Sequence, residues 1–235
     1  MNIDNTVALV TGANRGLGRS LVDLLLARGA ARVYATSRDG KTPHGDPRVV
    51  PLQLDVRDAD RTRAIAAEAR DVRLLINNAG SLASYSTIDS DPAKLRDDLD
   101  VNYFGVLHVV RAFAPQLVAQ KDAAIVNVLS IASLASMPAL GGYAASKAAA
   151  WSLTQALRGE LGKQGVRVHA AFPGPIDTDM VRGMDMPKTS PEDVARAILD
   201  GVSAGTDDIA PDPTSKDVLA TYLRDPRELE RRFAS

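Results

Sequence analysis

T-G-A-N-R-G-L-G, residues 11–18, decides the fold. It follows a short apolar run at residues 6–10. It precedes Leu17, Leu21, Leu24 and Leu25, which recur at the spacing of one helical face, and Gly29 closes that segment as a C-terminal cap. Gly12, Gly16 and Gly18 make a G-x-x-x-G-x-G pattern. A tight turn needs residues free of Cβ clashes, and a pyrophosphate needs close approach to backbone N–H groups at a helix N-terminus. Three glycines alone are a weak signal. Standing between the first strand and the first helix, they read as a nucleotide cradle. The alternative is a turn that only caps a helix.

Outward from this turn the chain alternates strands and helices. Strands are expected at residues 32–36, 49–54, 72–76, 124–129 and 166–171, with a last candidate at 208–210. Helices are expected at 59–69, from Ser90-Asp91-Pro92 to about residue 120, at 142–163, and from Ser190-Pro191 onward. Pro115 should kink or break the long helix. Strands this short and continuously apolar are buried on both faces. The expected fold class is therefore α/β, a single Rossmann-type doubly wound parallel sheet flanked by helices. It should occupy residues 1–212, and residues 213–235 should form a helical tail packed on it or extending from it.

Composition excludes several functions. The 235 residues carry 28 Lys+Arg against 29 Asp+Glu, a net charge of -1, which gives no bulk attraction to nucleic acid or anionic membrane. Aromatics at 4% make a base-stacking platform unexpected. There is no cysteine, hence no disulfide or thiolate site. His44, His108 and His169 lie far apart and form no metal-ligand pair, so they read as surface or packing residues. The N-terminus M-N-I-D-N lacks a basic region, and no run approaches the ~20 apolar residues of a membrane span. The expectation is a cytoplasmic protein without metal, nucleic-acid or membrane partners.

Two further places carry chemistry. About 20 residues past the glycines, an NAD-binding unit usually has an acid on the ribose 2′-hydroxyl. Here Ser37 and Arg38 stand there. A guanidinium binds a 2′-phosphate that a carboxylate would repel, and Arg15 could add a second charge. Both arginines could instead be solvated, and Asp39 weakens the signal. Tyr143 and Lys147, at i and i+4, share a helical face. A cation beside a phenol stabilises the phenolate and lowers a pKa near 10. Ser130 lies at the end of the fifth strand, on the ligand edge of a parallel sheet, where its hydroxyl can hold a carbonyl oxygen.

Read in order, these residues resemble the short-chain dehydrogenase/reductase family: T-G-x-x-x-G-x-G at 11–18, Asp55-Val56, N-N-A-G at 77–80, Asn102, Ser130, Y-x-x-x-K at 143–147 and P-G-x-x-x-T at 173–178. The resemblance covers about residues 5–210. It implies a nicotinamide cofactor, with NADP(H) favoured by Arg38 and Arg15. Tyr143 would be the general acid–base and Ser130 would orient the carbonyl. Tyr143 and Lys147 would also meet the cofactor; Lys147 would bind the nicotinamide ribose and depress the tyrosine pKa, and Asn102 would hold a relay water. The cofactor would meet Gly12, Arg15, Gly16, Leu17 and Gly18, then Ser37 and Arg38, then Asp55 and Val56 at the adenine. Asn78, Ala79 and Gly80 would line its middle, with Pro173, Gly174, Ile176 and Thr178 at the carboxamide end.

Each residue also has a plainer reading. Asn102 could bond backbone, Asn77 could tie strands, Thr178 could face water and Ser133 could satisfy local backbone. The family's common V-D-G-G-like ending is missing, which puts the usual tetramer in doubt and leaves a homodimer through the two long helices or a monomer. Met137, Met180, Met184 and Met186 fall in the segments expected to wall the substrate pocket, together with Leu82, Tyr85, Leu134 and Leu140. Flexible thioethers suit a loosely held apolar aldehyde or ketone, although they also fill gaps in cores. The expected function is NADPH-dependent reduction of such a small-molecule carbonyl, or the reverse oxidation. The alternative is a non-catalytic NADP-binding regulator.

Overall fold

A computed structural model of the protein describes residues 1–183 and 185–234. Seven parallel strands form one sheet in the order β3-β2-β1-β4-β5-β6-β7. They are β1 (Val7–Val10), β2 (Arg32–Ser37), β3 (Val49–Gln53), β4 (Leu74–Asn77), β5 (Ala124–Val128), β6 (Arg167–Ala171) and β7 (Asp208–Ile209). The connecting helices are α1 (Gly16–Ala27), α2 (Ala59–Glu68), α3 (Pro92–Leu99), α4 (Val106–Ala119), α5 (Gly141–Gly162) and α6 (Pro191–Ala204). The chain closes with α7 (Pro213–Arg224) and α8 (Pro226–Ala234).

Successive strand residues point to opposite faces, so each central strand feeds two cores. Val10, Ile76 and Val126 pack on one side with Leu21 and Leu25 of α1 and Ile198 and Leu199 of α6. Leu9, Leu75 and Ile125 pack on the other with Ile65 of α2, Phe113 and Leu117 of α4, and Leu157 of α5. Each such side chain contributes roughly 1.5–3 kcal/mol on burial. The continuous apolar runs come from this two-sided burial.

Two expectations need correction. The edge strand β3 is not buried on both faces: Pro51 and Gln53 are exposed, and an edge tolerates a proline that cannot donate to a ladder. Nor does Pro115 break its helix. It lies inside α4, and the carbonyl it leaves unbonded belongs to Arg111, an exposed residue. The irregularity falls earlier, at Asp100–Gly105, a π-helical stretch that joins α3 to α4 and carries Asn102.

The last two helices pack onto the domain. Val218 of α7 and Leu229 of α8 close over Ile131, with Met137, Tyr222 and Phe233 beside them. The histidines are packing residues. His169 is fully buried in β6 with Nδ1 2.6 Å from the Thr206 carbonyl, and His108 Nδ1 lies 3.2 Å from the Val56 carbonyl. His44 Nδ1 meets Asp23 at 3.0 Å. No helix among the described residues is long and apolar enough to cross a membrane. None of the His, Asp and Glu among them cluster as a metal site.

Candidate active site

Strand order reverses between β1 and β4, which opens a crevice at the carboxyl ends of those strands. The glycine turn leaves β1 into this crevice and residues 78–80 leave β4 into it. Thr11 ties them together: its hydroxyl accepts from the backbone N–H groups of Asn78 and Ala79, both at 3.0 Å. The Asn78 amide returns two bonds, to the Thr11 and Gly12 carbonyls at 2.9 and 3.1 Å. Gly12 adopts φ +65°, and a Cβ there would lie 3.0 Å from Ala79 Cα. A Cβ on Gly18 would overlap the Gly12 carbonyl. The helix that follows starts bare. Its N-cap, Arg15, makes no side-chain cap and its first turn holds no acid. By contrast Asp58, Asp91, Ser190 and Asp212 cap α2, α3, α6 and α7. Free N–H groups above a side-chain-free cradle fit a pyrophosphate. Leu17 lies buried in the core, so only its backbone faces that cradle.

At the other end of the crevice, Ser37 terminates β2 with its hydroxyl 2.9 Å from both Asp39 Oδ1 and the Lys41 carbonyl. Arg38 is exposed, and its guanidinium has no bonded partner among the described residues. Arg57 reaches Asp55 at 2.6 Å and holds that carboxyl below the usual range, so Asp55 is already engaged. Val56 is buried against Gly105. Arg15 does not join Arg38. Its extended backbone carries the side chain across the crevice to Asp179, where Nη1 stands 3.1 Å from Oδ2. The expected second positive charge is thus paired with the loop after β6 instead.

Tyr143 and Lys147 stand on the first turns of α5, both buried, with Lys147 Nζ 5.9 Å from the phenol ring centre. Nζ donates to the Val128 carbonyl at 3.0 Å. Ser130 follows β5 and caps a short 3-10 turn, Ile131–Ser133: its hydroxyl accepts from Ala132 N–H at 3.2 Å, and its backbone N–H donates to the Ser133 hydroxyl at 3.2 Å. Burial pushes the Tyr143 phenol up to about 12, and its hydrogen bond to Ser130 pulls the other way. Burial also draws Lys147 down to about 8. Desolvation of the phenolate thus dominates, and the group that lowers the phenol here is Ser130 rather than the expected Lys147.

Asn102 lies in the π-helical stretch and is fully tied. Its amide donates to the Ser81 carbonyl at 2.9 Å and to Ser146 Oγ at 2.8 Å, and its carbonyl oxygen accepts from Ser81 N–H at 3.0 Å. Ser146 in turn donates to the Tyr143 carbonyl at 2.7 Å. A Cβ on Gly80 would lie 3.3 Å from Asn102 Oδ1 and 3.7 Å from Lys147 Nζ, so residues 78–80 reach the same cluster. Asn77 bonds Asn127 across neighbouring strands at 2.8 Å, a fold role. Past β6, Pro173 and Gly174 turn the chain, and Gly174 N–H donates to Asp212 at 2.8 Å. Ile176 bridges to Thr189, and Thr178 faces Gly16 across the crevice.

The methionines divide. Met137 packs with the tail, Met180 and Met186 are exposed, and Met184 lies outside the described residues. Leu82 and Leu140 pack beside Tyr143, and Tyr85 is exposed.

Sequence reasoning missed Thr11 as the pin of the cradle, Ser146 as the link from Asn102 to α5, and buried Asp98. Asp98 precedes Asn102 by four, a helical spacing that offered a signal. Asp212 gave none, since its partner Gly174 is distant in the chain.

Known proteins share this arrangement. The sequence profile of short chain dehydrogenases matches residues 6–188. An uncharacterized oxidoreductase of Staphylococcus saprophyticus is 30% identical over 215 residues, covering 85% of this chain and 92% of that protein. A short chain dehydrogenase of Burkholderia cenocepacia, solved in complex with NADP, is 38% identical with a TM-score of 0.96, and the match covers 100% of both chains. A relative from Burkholderia phymatum, solved with NAD, is 25% identical with a TM-score of 0.82 over 99% of this chain and 96% of that one. The chain belongs to the short-chain dehydrogenase family of oxidoreductases.

Proposed function

We propose that the protein reduces a small apolar aldehyde or ketone to the alcohol with NADPH, Tyr143 acting as the acid. The observation that carries this reading is the convergence of Ser130, Tyr143 and Lys147 at the crevice end, beside Gly80 and Asn102. The nicotinamide, when bound, supplies a hydride to the carbonyl carbon. The Ser130 hydroxyl donates to the carbonyl oxygen and holds it against the phenol. Tyr143 passes its proton to that oxygen as the C=O becomes C–OH, leaving a tyrosinate. Lys147, held by the Val128 carbonyl, steadies that anion. Asn102 and Ser146 hold the first turn of α5 through the Tyr143 carbonyl. Run backwards, the same groups oxidise an alcohol.

NADP(H) is favoured by unpaired Arg38 at the end of β2, and the Burkholderia cenocepacia relative was solved with NADP. The Burkholderia phymatum relative was solved with NAD, so the fold alone does not choose. The apolar substrate class is supported by Leu82 and Leu140 beside Tyr143 and by exposed Met180 and Met186.

The test offers the purified protein NADPH or NADH with aliphatic and aromatic aldehydes, ketones and diketones. Consumption of NADPH well above that of NADH is expected. A protein that binds NADPH yet turns over no carbonyl contradicts the reading and favours a cofactor-binding regulator.

A further inference from the structure

α3 has one fully buried residue, and it is a carboxylate, Asp98. Buried carboxylates are rare unless paired or hydrogen-bonded. Asp98 accepts from three donors of one loop: Ala83 N–H at 2.8 Å, Ser84 N–H at 3.0 Å and Ser84 Oγ at 2.5 Å. That loop leaves the N-N-A-G segment and passes over the start of the catalytic helix. A Cβ on Gly142 would overlap Ser84 Oγ, and one on Gly141 would overlap Thr87 Oγ1, so the loop and the first turn of α5 are in close packing. Leu82, from the same loop, packs with Tyr143.

None of the three donors carries a charge, so the anion is solvated but not neutralised by them. Its charge reaches two groups on α5, Tyr143 and Lys147. From β5 and the turn after it, the side chain on the phenol is the uncharged Ser130. Next to Asp98 in sequence, Asp97 is paired with Arg57 at 2.8 Å through one oxygen and accepts from Ser81 Oγ at 3.2 Å through the other, so its charge has a cationic partner and Asp98 has none among the bonds of this loop.

We infer that Asp98 is a positioning residue of the catalytic site: its carboxylate clamps the Ala83–Ser84 loop against the start of α5 and places a fixed negative charge beside Tyr143 and Lys147. The clamp holds the Leu82 wall where an apolar substrate would lie. The charge disfavours the tyrosinate and favours the ammonium, so the resting site keeps both protons, and release of the phenol proton is held back until the carbonyl oxygen takes it. The inference rests on the reductase reading for its functional sense.

Its test does not need turnover. The tyrosinate absorbance of the protein is titrated with Tyr143→Phe as reference, which isolates the Tyr143 ionisation. In Asp98→Asn that ionisation is expected to move to lower pH by about one unit, a tenfold change in proton affinity. The alkaline limb of carbonyl reduction should move the same way. Ser84→Ala keeps the charge and removes one clamp bond, so it should leave the titration in place and raise KM more than it lowers kcat. A folded Asp98→Asn whose Tyr143 titration overlays the wild type overturns the inference. Failure of both Asp98→Asn and Asp98→Ser to fold, with Ser84→Ala kinetically silent, also overturns it, because the carboxylate is then structural only. Absence of carbonyl turnover in the wild type overturns the reductase reading and leaves the titration result standing.

Discussion

In the proposed reduction Tyr143 must release a proton from a place where its anion is poorly solvated. Burial raises the phenol to about 12, and within the protein Ser130 is the group shown to lower it. Loss of the phenolic hydroxyl in Tyr143→Phe should leave NADPH affinity unchanged. Lys147 makes a prediction of its own. Its pKa is about 8 in the fold against 10.5 for an ordinary lysine, so between those values the unfolded chain holds the extra proton. Stability should therefore rise as pH increases from about 8 toward 10, by an amount on the order of 3 kcal/mol if no other group intervened. Above pH 10 the raised Tyr143 reverses the sign, since the unfolded chain then loses the proton first. Denaturant unfolding across this range checks it, and Lys147→Met should flatten the rise. At the cofactor end, Arg38→Ala should cut the preference for NADPH over NADH by about 30-fold, if its phosphate contacts are worth ~2 kcal/mol. Equal preference before and after would remove Arg38 from that role.

Among the elements, the glycine turn and the start of α5 were readable because their patterns are local. Gly12, Gly16 and Gly18 stand where one turn needs them, and Tyr143 and Lys147 share a face by spacing alone. The break between α3 and α4 was not readable. Pro115 drew attention as a helix breaker, yet its cost depends on which way the orphaned Arg111 carbonyl faces. The π-helical stretch Asp100–Gly105 contains no proline. It is instead placed by tertiary bonds from Asn102 to Ser81 and Ser146, which no local pattern announces. If solvent does satisfy that carbonyl, Pro115→Ala should stabilise α4 by only about 1 kcal/mol, well short of the ~3 kcal/mol of an interior helix proline. Urea unfolding decides between the two values.

For the whole molecule, sheet class and strand sequence followed from alternation of apolar runs with helical segments. The grip of the tail did not, because it depends on contacts between distant residues. Asp212 caps α7 and also accepts from Gly174 in the crevice, while Leu229 packs over Ile131, next to Ser130. Tail and site are therefore mechanically joined. Asp212→Ala should cost about 1–2 kcal/mol and weaken NADPH binding as the 173–174 turn loosens. Leu229→Ala, at a fully buried position, should cost about 2–5 kcal/mol. Thermal unfolding together with cofactor titration separates the two effects. The central claim, though, is that one buried phenol moves the proton. The most direct measurement is NADPH consumption with a turned-over carbonyl, at saturating cofactor, for wild type and Tyr143→Phe side by side. A fall in kcat of about 10²–10⁴-fold at unchanged NADPH affinity is predicted. Turnover by Tyr143→Phe at the wild-type rate would contradict it.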